Sequence, residues 1–201
     1  MIKGVLFDFG GVLSEAGRTG SIRRIFDVVY GLDLSALEID DIFQKMWRGQ
    51  IGDEEFLAEI KLRHPETAVV SADEFRSHMD AFEKSKPVYA FAADLRKQGI
   101  KTGILSNVFG IGVGPLRAGG FYDGFDPVIL SCDVGLAKPD RAIYELAAER
   151  LQLRPQEIIF INDYQAWLDP AAALGMHTVL AVSPEQIVTD ALRIIDAQAN
   201  E

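Results

Sequence analysis

The chain has 201 residues, 48% hydrophobic and 25% charged, which is enough apolar material for one sizeable core with at most a small accessory domain. A formal net charge of -10, with no dense Lys/Arg cluster to release counterions from a phosphate backbone, argues against nucleic acid as a partner. Cys132 is the single cysteine, so an intrachain disulfide and a cysteine zinc site are excluded.

The opening "MIKGVLFDF" lacks the basic flank, long apolar core and cleavage site of a signal peptide, and no apolar run reaches the roughly 18 residues of a membrane span. The expected location is cytoplasmic, with no membrane partner. The stretch "IKGVLFDF" reads as a buried strand that carries one carboxylate, Asp8, ahead of Gly10 and Gly11. From Ser14 to Ser85 the pattern turns helical and highly charged, in "SIRRIFDVVYGL", "SALEIDDIFQKMWRG", "GDEEFLAEIKLRH" and "SADEFRSHMDAFEK", with Ser35, Asp53 and Ser71 as N-caps. This predicts a small helical bundle inserted after the first strand, with Trp47 and Phe56 in its core. A second reading of "WRGQIGDEEF" is a loop that lowers Gly49 to Gly52 onto a substrate.

Strand-length apolar runs then alternate with helical patterns. "KTGILSN", "PVILSC", "EIIFIND" and "HTVLAV" are the strands, and "VYAFAADLRKQG", "RAIYELAAERLQL" and "AWLDPAAALGM" the helices, with Gly99 and Gly175 placed for left-handed helix ends. "GIGVGPLRAGG" lacks the spacing and downstream acid of a dinucleotide fingerprint and is expected to be a loop. The alternation predicts an α/β fold. Its Rossmann-like core, residues 1–13 and 86–201, would be a doubly wound parallel sheet, and residues 14–85 would form the helical domain. Ligands of such sheets bind beyond the carboxyl ends of the strands.

Four groups of complementary chemistry collect at that edge. Asp8 follows the first strand, Ser106 and Asn107 follow "GILSN", Lys138 opens "KPDRAIYELAAERL", and Asp163 follows "IIFIN". Each alone is ordinary: an aspartate at a strand end is most often a turn residue, and a glycine pair a tight turn. Together they supply a carboxylate nucleophile, a fixed cation in Lys138, hydrogen-bond donors at Ser106 and nearby amides, and a hard oxygen site for magnesium at Asp8 and Asp163. His64, His78 and His177 are scattered and form no ligand set, and Cys132 reads as a buried apolar residue.

The ordered segments "FDFGGV", "ILSN", "AKPD" and "FIND" resemble the four motifs of the haloacid dehalogenase-like hydrolase superfamily across the whole chain, and the helical insert resembles its cap. The "DFGGV" form and small cap are similar to the subgroup of sugar-phosphate phosphatases such as the glucose-1-phosphate phosphatases, and to phosphatase domains attached to epoxide hydrolases. The resemblance implies that Asp8 attacks phosphorus to give an aspartyl-phosphate, that Ser106 and the amide of Asn107 bind a transferring oxygen, and that Lys138 neutralises the reacting groups. It also implies Mg2+ on Asp8, Asp163 and the carbonyl of Gly10, with a small phosphomonoester as substrate; a monomer and a homodimer both remain open.

Two positions depart from that pattern. Where superfamily phosphatases commonly carry a second aspartate as general acid, this chain has Gly10, and the lost assistance is typically worth about 10²–10⁴-fold. Glu15, Arg18, Asp53 and Glu54 of the insert are candidate replacements. Asn162 stands where an acidic residue is more usual, which lowers the site's negative charge while leaving an amide oxygen for the metal. The favoured expectation is a magnesium-dependent phosphatase. The alternatives are a metal-independent dehalogenase, against which Asp163 counts, and a catalytically weak phosphate-binding member.

Overall fold

The structure is a computed structural model that describes residues 1–14, 39–66, 71, 73–74 and 83–199. In chain order its elements are β1 (Gly4–Phe7), α1 (Asp40–Trp47), α2 (Asp53–Arg63), α3 (Lys86–Lys97), β2 (Lys101–Ser106), α4 (Gly110–Ala118), β3 (Val128–Leu130), a one-turn α5 (Ser131–Val134), α6 (Arg141–Leu151), a 3-10 turn (Pro155–Glu157), β4 (Ile158–Asn162), α7 (Gln165–Leu174), β5 (His177–Leu180) and α8 (Pro184–Ala199). The five strands the sequence predicts are the five observed. They form one parallel sheet in the order β3-β2-β1-β4-β5.

All four residues of β1 are buried, as expected for the central strand of a sheet covered on both faces. Alternate residues face opposite layers. Val5 and Phe7 pack with Ile104, Ile159 and Ile161 under α3 and α8, whereas Leu6 packs with Leu105, Ile129 and Phe160 under α6 and α7. In register, Phe7 pairs with Ile104 on one side and Ile161 on the other. Asp8, one residue further, therefore emerges between β2 and β4 at the carboxyl edge, where successive connections run to opposite sides of β1. That crevice is the usual ligand position in a doubly wound sheet.

Three local expectations need correction. "GIGVGPLRA" is the helix α4 rather than a loop: Val113 and Leu116, one helical turn apart, are buried in the core, and that burial outweighs the poor propensity of its glycines and Pro115. Lys138 does not open a helix, because α6 begins at Arg141 with Asp140 as its N-cap residue. Asp53 is the first residue of α2, and Gly52 takes the N-cap position. Gly99 and Gly175 do adopt positive φ at helix ends, at +80° and +100°. Ser71 accepts a hydrogen bond from the amide of Glu74 at 3.3 Å. The expected cap at Ser35 lies outside the described residues, as do Glu15 and Arg18.

The insert joins the core through two adjacent strands of chain. Ser14 bridges antiparallel to Lys84, and the Ser85 amide donates to the Leu13 carbonyl at 2.8 Å, so entry and exit run side by side. Within the insert, α1 and α2 bury Ile42, Met46, Phe56, Leu57 and Ile60, and Arg63 forks onto Asp41 at 2.8 and 2.9 Å.

At the opposite, amino edge of the sheet, Glu157 accepts hydrogen bonds from Lys3 at 2.6 Å and from the Arg154 amide and guanidinium at 3.0 and 3.2 Å. These donors hold its carboxyl well below the ordinary 4.5, at about 2. A carboxyl depressed by folding contributes stability above its unfolded value and loses it as pH falls through the folded one. Glu157→Gln is therefore expected to lower the melting temperature at pH 7, with the gap to wild type closing between about pH 4.5 and pH 2 in a thermal-unfolding series.

Candidate active site

Asp8 is buried, 3% exposed, and both oxygens of its carboxylate are held. Oδ1 accepts the Phe9 amide at 2.7 Å. Oδ2 accepts Nδ2 of Asn162 at 2.7 Å and lies 2.9 Å from Nζ of Lys138. A buried carboxylate with a cation and two further donors around it is held in a single orientation.

Lys138 is completely buried. Its ammonium also donates to the Leu105 carbonyl at 3.2 Å, and it sits over the Trp167 ring at 4.4 Å and the Phe160 ring at 5.5 Å. Burial pushes this ammonium below its ordinary value, while the adjacent Asp8 carboxylate pulls it back up. Because Lys138 lies before α6 rather than in it, something else must place its backbone. Asn107 does so: its Nδ2 donates to the Lys138 carbonyl at 2.9 Å and its Oδ1 accepts the Lys138 amide at 2.8 Å. Ser106, the last residue of β2, is 4% exposed on the same edge.

The glycine pair has two distinct roles. Gly11 has φ +69°, and a Cβ there would lie 2.8 Å from Cγ of Asp163 and collide with its Oδ2, so the turn must be glycine for that carboxylate to lie against it. At Gly10 a Cβ would meet nothing within 4 Å. The position that lacks the expected acid thus has room for one.

Two carboxylates, Asp8 and Asp163, therefore flank the Gly10–Gly11 turn. Among the described residues no cluster of three or more His, Cys, Asp or Glu side chains forms a self-sufficient cation cage. That donor set fits magnesium, which is commonly bound by one or two carboxylates while retaining waters and phosphate oxygens. Asn162 is engaged at both ends of its amide, since its Oδ1 accepts the Tyr164 amide at 2.8 Å. Cys132 does not join the site as a nucleophile: burial pushes its thiol up to about 11.

Of the insert's candidate acids, Asp53 reaches the core. Its Oδ1 lies 3.5 Å from where a Cβ on Gly110 would stand, at the amino end of α4. Glu54 is exposed. Sequence reading missed Trp167, which stands in the helical pattern "AWLDPAAALGM" with nothing in its spacing to aim the indole at Lys138. It also missed Tyr144, whose hydroxyl donates to the Trp167 carbonyl at 2.7 Å.

Residues 2–175 match the haloacid dehalogenase-like hydrolase family. The chain belongs to that family. Among its relatives, acyl-CoA dehydrogenase family member 10 of Mus musculus is 31% identical over 94% of this chain, which spans 18% of the mouse protein's length. A phosphatase of Mycobacterium tuberculosis is 30% identical over 89% of this chain and 87% of its own. Among solved structures, a protein of Porphyromonas gingivalis described as a predicted HAD-like family hydrolase superposes with a TM-score of 0.77 at 25% identity, covering 97% and 98% of the two chains. A HAD family enzyme of Bacteroides thetaiotaomicron, solved with magnesium and inorganic phosphate, has a TM-score of 0.71 at 23% identity and covers 89% and 93%.

In this haloacid dehalogenase-like hydrolase the segments "FDFGGV", "ILSN", "AKPD" and "FIND" all converge on the carboxyl edge of the sheet, where Asp8 contacts Lys138 and Asn162, and Asn107 contacts the Lys138 backbone. Asn107→Ala removes both hydrogen bonds that clamp the Lys138 backbone. It is expected to destabilise the protein by about 1–3 kcal/mol, the usual cost of orphaned buried polar groups, read as a lower urea midpoint with an unchanged m-value.

Proposed function

We propose that this hydrolase is a magnesium-dependent phosphatase of a small phosphomonoester, working through an aspartyl-phosphate on Asp8. Residues 14–85 act as a cap over a core made of residues 1–13 and 86–201. The observation that carries this reading is the buried Asp8–Lys138 pair at 2.9 Å beside the carboxylate of Asp163 at the Gly10–Gly11 turn. The similarity to a Mycobacterium tuberculosis phosphatase, and to a fold neighbour solved with magnesium and phosphate, supports it.

Asp8 attacks phosphorus with a carboxylate oxygen, and the ester P–O bond breaks with its electron pair leaving on the alcohol oxygen. Water then hydrolyses the acyl phosphate, releasing inorganic phosphate and restoring the carboxylate. Lys138 offsets the repulsion between Asp8 and the incoming anion and stabilises charge on the transferring group. Ser106 and the main chain at Asn107 supply donors for its oxygens. Asn162 holds Asp8 in place rather than binding the cation. Asp8, Asp163 and the Gly10 carbonyl would hold magnesium, which when bound screens the negative charges that meet at phosphorus.

No side chain at Gly10 protonates the leaving oxygen, so substrates with good leaving groups are favoured. Wild type should release phosphate from aryl phosphates with magnesium, while chelator and, separately, Asp8→Asn abolish release. Undiminished turnover by folded Asp8→Asn contradicts the mechanism. Because the space beside Gly10 is open, Gly10→Asp should raise kcat on alkyl phosphates by about 10²–10⁴-fold, and aryl phosphates should change far less. A folded Gly10→Asp variant with unchanged alkyl rates would show that a proton already arrives from another group.

A further inference from the structure

An ammonium has three donors. Among the described residues Lys138 meets two oxygen acceptors, Oδ2 of Asp8 and the Leu105 carbonyl. Lys138 has no exposure to solvent; the Asp163 carboxylate adds a further electrostatic attraction, and the nearest aromatic face is Trp167, at 4.4 Å from Nζ to its centroid. An indole face attracts a cation without neutralising it. The ring therefore adds stabilisation beyond that of Asp8 and Asp163 while leaving the third ammonium donor for the transferring phosphoryl group.

Trp167 is fixed from several directions. It stands in the first turn of α7, its carbonyl accepts the Tyr144 hydroxyl, and its ring meets Tyr164 edge-on at 5.4 Å. A further ring contact comes from across the cap boundary: Trp47, at the end of α1, meets Trp167 edge-to-face at 6.0 Å and 84°. Trp47 and Trp167 are the only tryptophans in the chain. The two residues after Trp47 also touch the core. Arg48 pairs with Asp140 at 2.6 Å, two residues beyond Lys138, and Gly49, with φ +62°, approaches the Cys132 carbonyl so closely that a Cβ would lie 2.5 Å from it. Trp47, Arg48 and Gly49 therefore dock one corner of the cap onto three separate core segments, and the first of them bears on the ring that covers the catalytic lysine.

We propose that Trp167 is a positioning residue for Lys138, and that its edge-to-face contact with Trp47 makes the placement of that lysine depend on the docked cap. The kinetic part of this inference rests on the phosphatase reading, and the spectroscopic part does not.

The test uses Trp167→Leu, Trp167→Phe, Trp47→Leu and the Trp47→Leu/Trp167→Leu double variant. Protons on Cε of Lys138, the carbon bonded to the Nζ that lies 4.4 Å from the indole centroid, should resonate upfield in wild type. The shift should vanish in Trp167→Leu, persist in part in Trp167→Phe, and shrink in Trp47→Leu. On an aryl phosphate, kcat/KM should fall by about 30-fold in Trp167→Leu, the equivalent of a desolvated cation–π contact, and recover substantially in Trp167→Phe, which keeps a ring. Trp47→Leu should have a smaller effect, and the double variant should fall short of the product of the single losses.

Ordinary Lys138 Cε shifts in wild type would overturn the proposal even if a variant fails to fold. So would equal losses in Trp167→Leu and Trp167→Phe, or losses that multiply fully in the double variant. Wild type that shows the ring-current shifts but hydrolyses no phosphomonoester would instead refute the phosphatase reading and leave the positioning role standing.

Discussion

The ion pair between Asp8 and Lys138 is the constraint around which this edge of the molecule is built. Removing one member of a buried pair typically costs about 3–5 kcal/mol, because the survivor is left charged and unsolvated. Each neighbour addresses that cost. Asn162 and the Phe9 amide satisfy the carboxylate, the Leu105 carbonyl and the Trp167 face satisfy the ammonium, and Asn107 fixes the loop that carries the lysine. These partners come from β1, β2, β4, α7 and the loop before α6, so the site exists only when the parallel sheet is assembled. The resulting orientation of charge is fixed before any ligand arrives.

The same pair lies close to the insert. Asp8 is followed within six residues by the point where the chain leaves for the insert, and Ser14 and Lys84 tie the two crossings together. On the far side, Trp47 approaches Trp167 and Arg48 approaches Asp140, so the insert meets the core both where the chain crosses and at this corner. The aromatic surfaces of Phe43, Trp47, Phe56 and Phe109 form the seam between them.

Much of this was legible in the sequence because a buried parallel strand has a simple signature. The five strands are short apolar runs that end in turn residues, and the functional side chains stand where those runs stop. Asp8, Ser106, Asn107 and Asp163 follow from that rule. What escaped was set by tertiary contact. The helix α4 forms from a glycine-rich segment because Val113 and Leu116 have a core to enter. Lys138 looked like a helix start because Pro139 follows it, yet its backbone is set by Asn107, distant in sequence. Asn162 stands where the resemblance puts a metal ligand, and its hydrogen bonds to Asp8 and from the Tyr164 amide could not be read from the sequence. Trp167 carried no signal, since an aromatic residue in an amphipathic helix is ordinarily core and the lysine beneath it comes from another element.

The most direct measurement is mass spectrometry of protein quenched in acid during turnover of an aryl phosphate with magnesium, with the modified residue located by peptide mapping. A phosphoryl group on Asp8 in wild type, absent from Asp8→Asn, is the expected result. Steady turnover with no adduct on Asp8, undiminished when Asp8 is replaced by Asn, would contradict the assignment of this buried carboxylate as the nucleophile.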